Sequence, residues 1–335
     1  MSIIIASPDS MRAQVEAATG GATTVLYDDK GFPSLMHVIP KFRYEDLGLD
    51  ATFGTGVATA FLKGNTELPE IFIGQYQAQV HDGRAVSLPG RDAKTYVDYD
   101  AAKGACTAKG AGWHMMTMHE WAAVALWCEA NGFTPRGNTD CGRAHDANHE
   151  MGRRQDGGTA GDNSGSARIL TGSGPASWRH DNSMGGIADL VGNVWEWQHG
   201  LKIIDGQIHL IEDNSWDLDE GSWTALGHHF SNESGTPTLK NSAGTVEDAS
   251  IYESQWDNLT KEAGYTESQL LQRLLVSPAD VSMQGRFYVN TEGERIPLRG
   301  GRWNDGSSAG LGALNLYNAR SDAYGNLGFR PAFAL

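Results

Sequence analysis

The residues most able to do chemistry in this 335-residue chain are few and scattered. Cys106, Cys128 and Cys141 are its only thiols, an odd number with no CxxC spacing. They read as free thiols, with a single disulfide left open. His145 and His149 stand at i and i+4, His114 precedes His119, and His228 adjoins His229. Such sets could hold a transition metal. However, His145 and His149 lie in a Gly-rich passage without helical periodicity, so their spacing does not put both rings on one helix face. Exposed or hydrogen-bonded histidines are the expected outcome. Asp156, Asp162 and Asn163 could offer hard oxygen ligands to a structural calcium ion, although not at EF-hand spacing, and no ligand set is assigned. No P-loop, nucleophile elbow, zinc motif or dinucleotide fingerprint occurs.

The densest polar and aromatic set lies in residues 299–335, RGGRWNDGSSAGLGALNLYNARSDAYGNLGFRPAFAL. Between 302 and 326 there is no Lys, Glu, Gln or Met, while Tyr, Asp, Asn, Ser, Gly and Arg alternate with a frame of small and apolar residues. Rings that give contact area at low entropy cost, beside short hydrogen-bonding groups, suit an adaptable binding surface. The candidate ligand-binding residues are Arg302, Asn304, Asp305, Ser308, Asn315, Tyr317, Asp322, Tyr324 and Asn326. The alternation in ALNLYN puts Leu314 and Leu316 on one strand face, with Asn315 and Tyr317 on the other. All nine candidates are therefore expected on one exposed face above buried Trp303, Leu314, Leu316 and Phe329. Tyr317 and Tyr324 should be its anchors, since interface energy concentrates in a few aromatic and arginine residues.

Several elements must position this surface. Residues 1–56 mix short apolar runs with turns and read as an entry region with a few strands. Asp82-Gly83 supplies the positive backbone angles of a tight hairpin turn after the alternating PEIFIGQYQAQV. In TMHEWAAVALWCEANG, Thr117 and Glu120 form a capping box. Trp121, Val124, Ala125 and Cys128 then fall on one face, and Gly132 ends the helix. Residues 136–166 lack periodicity and read as a long loop ordered by its own contacts. In GGIADLVGNVWEW, Asp189 and Asn193 can bond turn backbone, Gly192 allows close approach, and a strand begins at Val194. Residues 204–280 read as an irregular acidic insertion holding one helix, capped by Thr266 and Gln269 and followed by Pro278.

RGG-W, AGLGALNLYNAR and GFRPA closely resemble the variable region of proteins diversified by retroelements. Residues 186–197 resemble the GLxDLxGNVWEW motif of the formylglycine-generating-enzyme fold, with Ile187 in place of a leucine. The resemblance implies an α+β, C-type lectin fold of that enzyme type, loop-rich, with short antiparallel sheets and few helices, spanning 1–335 as one domain. In that family an adenine-specific copying error rewrites asparagine codons, which can yield Asp, Tyr, Ser, Gly, Arg or Leu but not Lys, Glu, Gln or Met. Residues 302–326 obey that restriction. Enzymes of the family use a C-terminal pair of cysteines on copper, and this chain has no cysteine after Cys141. A related branch adds an N-terminal helical bundle to a three-histidine iron site, and no such bundle is legible here. The implied function is non-catalytic: recognition of a host surface protein or glycan by a viral or prophage particle protein, often an oligomer whose repeated sites add avidity. The alternatives are a fixed decoration protein of a phage particle and a metalloenzyme with a displaced site.

Glu196 of the WEW motif and an arginine of the 299–335 stretch, Arg330 or Arg320, are expected to form a buried pair, because each places a charge among apolar residues. Composition sets further bounds. Ten Trp and 42 Gly suit a loop-rich fold with aromatic anchors. A net charge of −15 argues against nucleic acid as a partner. The apolar run at Ile3, Ile4 and Ile5 is too short for a signal peptide, and no stretch could span a bilayer. The expectation is synthesis in the cytoplasm and exposure through assembly into a particle or another export route.

Overall fold

The computed structural model describes residues 9–335, and the Ile3, Ile4 and Ile5 run lies outside them. Three main sheets carry the architecture, a mixed α+β arrangement rich in short strands and poor in helix. The first is ordered Thr23–Tyr27, Pro33–Pro40, Glu70–Gly74, Pro331–Phe333, Trp113–Met115. The entry region is thus no appendage: among the described residues it holds a helix, Ser10–Thr19, and two strands that share a sheet with Pro331–Phe333.

The second sheet corrects the reading of residues 204–280. Rather than an irregular insertion, Gln207–Leu210, Thr224–Glu233 and Thr236–Lys240 form antiparallel neighbours in a six-stranded sheet with Leu201–Ile204. Ile203, Ile208, Phe230 and Leu239 from it enter the main core. The helix there is a single turn, Gln269–Arg273, and its cap is Ser268, whose hydroxyl accepts from Leu271 N, rather than Thr266.

The third sheet runs Ile251–Glu253, Phe287–Val289, Gly310–Leu316, Leu298–Gly300, Trp195–Trp197, Leu327–Gly328. Leu314 and Leu316 enter the main core on one face, while Ala313, Leu298, Trp195 and Trp197 pack in a second cluster on the other. Both faces of its centre are therefore covered.

The helix Met118–Ala130 begins with the expected capping box: Glu120 N donates to Thr117 Oγ1 at 3.1 Å and Thr117 N to Glu120 Oε2 at 2.9 Å. It differs from the expectation in being buried on almost every side rather than along one face. A helix apolar all round belongs to a core, which is where this one sits. Gln79–His81 and Arg84–Val86 form the hairpin, with Asp82 and Gly83 at φ 49° and 72°.

Two glycines let separate segments meet backbone to backbone. Gly192 N donates to Gly300 O at 3.0 Å. A Cβ on Gly192 would lie 2.1 Å from Asn138 O, and one on Gly300 would lie 2.4 Å from Leu190 O. Both residues also hold positive φ, so no other residue serves there without displacing the chain.

Candidate functional site

Residues 299–335 rest on a buried polar chain. Arg330 Nε donates to Glu196 Oε2 at 2.9 Å and Nη2 to Oε1 at 2.6 Å, a two-pronged pair with both side chains at most 1% exposed. Two of the three remaining guanidinium hydrogens reach Gly74 O and Ala188 O. Glu196 Oε1 also accepts from Gln77, whose own oxygen accepts from Asn193 Nδ2 at 2.7 Å. Asn193 Oδ1 in turn accepts from Ile169 N at 2.8 Å and from Asn138. Asp189 and Asn193 thus bond backbone of other loops, since Asp189 accepts from Gly172 N at 2.7 Å. Arg320, the other expected partner of Glu196, instead joins Glu294, Asp100 and Glu220.

Above this base, Arg302, Asp305, Asn315, Tyr317, Tyr324 and Asn326 line one pocket of about 470 Å3. Its other walls are Trp195, Ser250, Tyr288 and Asn318, which sequence reasoning missed. Pairing supplies them: Tyr288 lies opposite Asn315 in the parallel pair of Phe287–Val289 with Gly310–Leu316. Trp195 carried a sequence signal only through its place in a structural motif, and Asn318 only through its place in the polar 302–326 stretch.

Tyr317 and Tyr324 are 42% and 52% exposed, as expected of anchors. Asn315 departs from the expectation, being 9% exposed. Its Oδ1 accepts from Tyr317 N at 2.8 Å and its Nδ2 points to Asn318 Oδ1 at 3.3 Å, so it shapes the pocket wall instead of standing free. Asp322 turns inward to accept from Asn318 Nδ2 at 2.9 Å and Ala319 N at 3.1 Å. Asn304 is exposed and Ser308 half-buried, but neither lines the pocket, nor does Asp322. Trp303 is half-buried rather than buried, held through its backbone by Cys141 N and Asn193 O. Burial pushes the Asp305 carboxyl up from its ordinary range, and the neighbouring Arg302, which donates to it at 3.0 Å, opposes that rise.

Most of the other chemical candidates resolve into structural roles. Cys106, Cys128 and Cys141 are unpaired and buried, and burial pushes all three thiols up, away from the reactive thiolate. His114 bonds Glu120 at 2.8 Å, His119 bonds Thr59 at 2.8 Å and Ile211 O at 3.0 Å, and His145 bonds Thr139 at 2.9 Å. His149 is exposed, and His228 bonds Thr266 O at 3.1 Å. Among the described residues, His37, His180 and Asp181 are the group with metal-like spacing. Its ring and carboxylate atoms already serve the 180–187 turn: His37 Nδ1 bonds Gly185 O, His180 Nδ1 accepts from Ile187 N, and Asp181 Oδ1 accepts from Ser183 N, each at 2.9 Å.

In the loop whose side chains could offer oxygens to calcium, Asp156 is held by the chain itself. Arg154 Nε and Nη2 meet both Asp156 oxygens at 2.9 and 2.7 Å, and its guanidinium also donates to the carbonyls of Thr159, Asp162 and Ser164. The Asp156 carboxylate and three loop carbonyls are therefore engaged by a cation of the chain's own, while Asp162 and Asn163 are exposed and the Asp162 carboxylate accepts from Ser164 N at 2.9 Å. Hydrogen bonds from Arg154 hold the Asp156 carboxyl down at about 2. An Arg154→Met variant should lose about 1–3 kcal/mol of stability, from the unpaired acceptors it leaves. Amide hydrogen exchange should then quicken selectively across residues 156–166; unchanged exchange there would show that the guanidinium does not order the loop.

No family model matches the chain, and no curated protein does. Among solved structures it is similar to PvdO from Pseudomonas aeruginosa, at 14% identity and a TM-score of 0.38, over 93% of this chain and 98% of that one. No helix among the described residues is long and apolar enough to cross a membrane.

Proposed function

We propose that the chain is a non-catalytic recognition protein. On this reading it displays a diversified ligand-binding surface, residues 299–335, on a C-type lectin scaffold of the formylglycine-generating-enzyme type, at the surface of a viral or prophage particle. The observation that carries the proposal is the pocket between Tyr317 and Tyr324. Two exposed rings stand over a floor fixed by hydrogen bonds, and rigid anchors on a held frame lose little entropy when a ligand binds. The three buried thiols and the engaged histidines favour recognition over nucleophilic or metal-assisted chemistry.

The Tyr317→Ala/Tyr324→Ala double variant tests this against a library of displayed surface proteins and glycans. Binding should weaken by at least ~2 kcal/mol while the melting temperature stays nearly unchanged. A large fall in melting temperature, or binding indifferent to both rings, would favour a fixed decoration protein instead. The diversification itself has a genetic test. A near-copy of the DNA for residues 299–330, differing at adenines and lying beside a reverse transcriptase gene, is the expected neighbour.

A further inference from the structure

The pocket is concave, small, aromatic on its floor and amide-rich on its walls, and that combination says more about the ligand than its exposure does. Its volume of about 470 Å3 falls among small-molecule sites, typically about 300–1,000 Å3. A protein partner alone would press on a patch of roughly 800 Å2 and has no need of such a hollow.

Three properties narrow the chemistry. First, aromatic faces bound the hollow: Trp195 and Tyr288 meet edge to face with centroids 6.1 Å apart, and Tyr317 and Tyr324 stand at its mouth. Flat rings of this kind accept a ligand with an apolar, C–H-bearing face. Second, apart from the Arg302–Asp305 pair, the polar side chains of the lining are neutral. Asn315 and Asn318 are bonded within the wall, which leaves the Asn326 amide able to donate and accept, as a hydroxyl does. Trp195 is itself 3% exposed, and its indole N–H finds no hydrogen-bond partner among the described residues. The Asn326 side chain likewise bonds no other described residue and lines the same hollow. Both groups open onto the hollow rather than into the sealed core, so a ligand with donors and acceptors can meet them there. Third, the lining holds one cation and one anion, and these pair with each other. Arg302 is its one cation, and Arg302 Nε is taken up by Asp305 Oδ1 at 3.0 Å. Phosphates and carboxylates need an uncompensated cation or a cluster of backbone N–H groups.

From these observations we infer that the pocket between Trp195, Tyr288, Tyr317 and Tyr324 binds a neutral sugar ring of a surface glycan. A pyranose offers what the walls ask for: one face of C–H bonds for the rings, and a rim of hydroxyls that each donate and accept. The inference rests on the recognition role proposed above and names its ligand class.

The full chain is applied to a printed array of bacterial and animal glycans, with competition by the methyl glycosides of glucose, galactose, mannose and N-acetylglucosamine. The expected result is retention on glycans with neutral hexose or N-acetylhexosamine ends, displaced by at least one of these glycosides. The Tyr317→Ala/Tyr324→Ala variant should lose at least tenfold in affinity. Trp195→Phe keeps a ring and removes only the N–H, and should lose about 2- to 10-fold, the worth of one hydrogen bond. Asn326→Ala should do the same and stands in for Trp195→Phe if that variant fails to fold. Absence of any retained glycan overturns the inference. If a displayed protein library then yields a binder that depends on Tyr317 and Tyr324, the recognition role stands without the sugar. Preference for sialylated or phosphorylated glycans overturns the neutral class. Glycan binding that survives loss of both tyrosines removes the inference and the proposed surface together.

Discussion

A Glu196→Ala variant is expected to unfold with about 3–5 kcal/mol less free energy than the parent chain, the cost of leaving one member of a buried ion pair uncompensated. The pair is sealed from water, and Arg330 would keep only its carbonyl partners, Gly74 O and Ala188 O. Gln77 would lose one of its acceptors as well, so the change should reach Asn193 and the 136–166 loop. Glu196→Leu combined with Arg330→Met should recover much of the loss, because replacing both charges by apolar groups removes two desolvation costs at once. Urea denaturation at neutral pH measures both variants. An unchanged midpoint for Glu196→Ala would mean that water reaches the pair.

Acid should destabilise the fold from well above the carboxylate range. Burial pushes His119 down to about 4, and His180 and His199 each to about 3. For His180 the neighbouring His37 adds to the fall while Asp181 opposes it, and for His199 Lys103 adds while Glu220 opposes. All three folded values lie below the unfolded value of roughly 6.5. Above that pH neither state is protonated and the histidines contribute nothing. Below it the unfolded chain binds protons that the folded chain does not, so stability falls by about 1.4 kcal/mol per pH unit for each ring, or about 4 for the three. The decline should run from about pH 6.5 to about pH 4, where His119 begins to charge in place. Below about pH 4.5, Asp156 and Glu220 act in the same direction. Burial raises the Glu220 carboxyl, but hydrogen bonds from Arg320 and Lys103 outweigh that and hold it at about 2. Equilibrium urea midpoints at pH 7.5 and 5.5 are the measurement. Equal midpoints would show that these rings are charged, or solvated, in the folded chain.

What could be read from the sequence was local. Thr117 and Glu120 bond within one helical turn, and Asp82-Gly83 closes its own hairpin, so three or four adjacent residues carry the whole signal. The Glu196–Arg330 pair was legible for another reason: two charges in apolar surroundings demand partners, and few were on offer. The strands within 204–280 were hidden because their acidic residues, Asp213, Asp217, Asp219 and Glu220, gather in the connection between Gln207–Leu210 and Thr224–Glu233. Charge in a turn reads as irregularity when the pairing partner is unknown. Asn315 misled through the same gap. Alternation predicts two faces but does not say that both will be covered, and here Trp195 and Leu298 cover the second. Tyr288 and Ser250 could not be assigned to the pocket, since only strand pairing brings them beside residues 302–326.

Pro331–Phe333 lies between Glu70–Gly74 and Trp113–Met115, so the first sheet has a vacant lane until residue 333 has been made. A ribosome releasing this protein from its N-terminal side delivers two strand edges that have nothing to pair with for more than two hundred residues of translation. Exposed edges recruit other edges. Those edges therefore stay open for far longer than in a fold of neighbouring hairpins. A chain ending upstream of residue 331 lacks the strand that joins Glu70–Gly74 to Trp113–Met115, and so leaves both edges open to pairing with other chains.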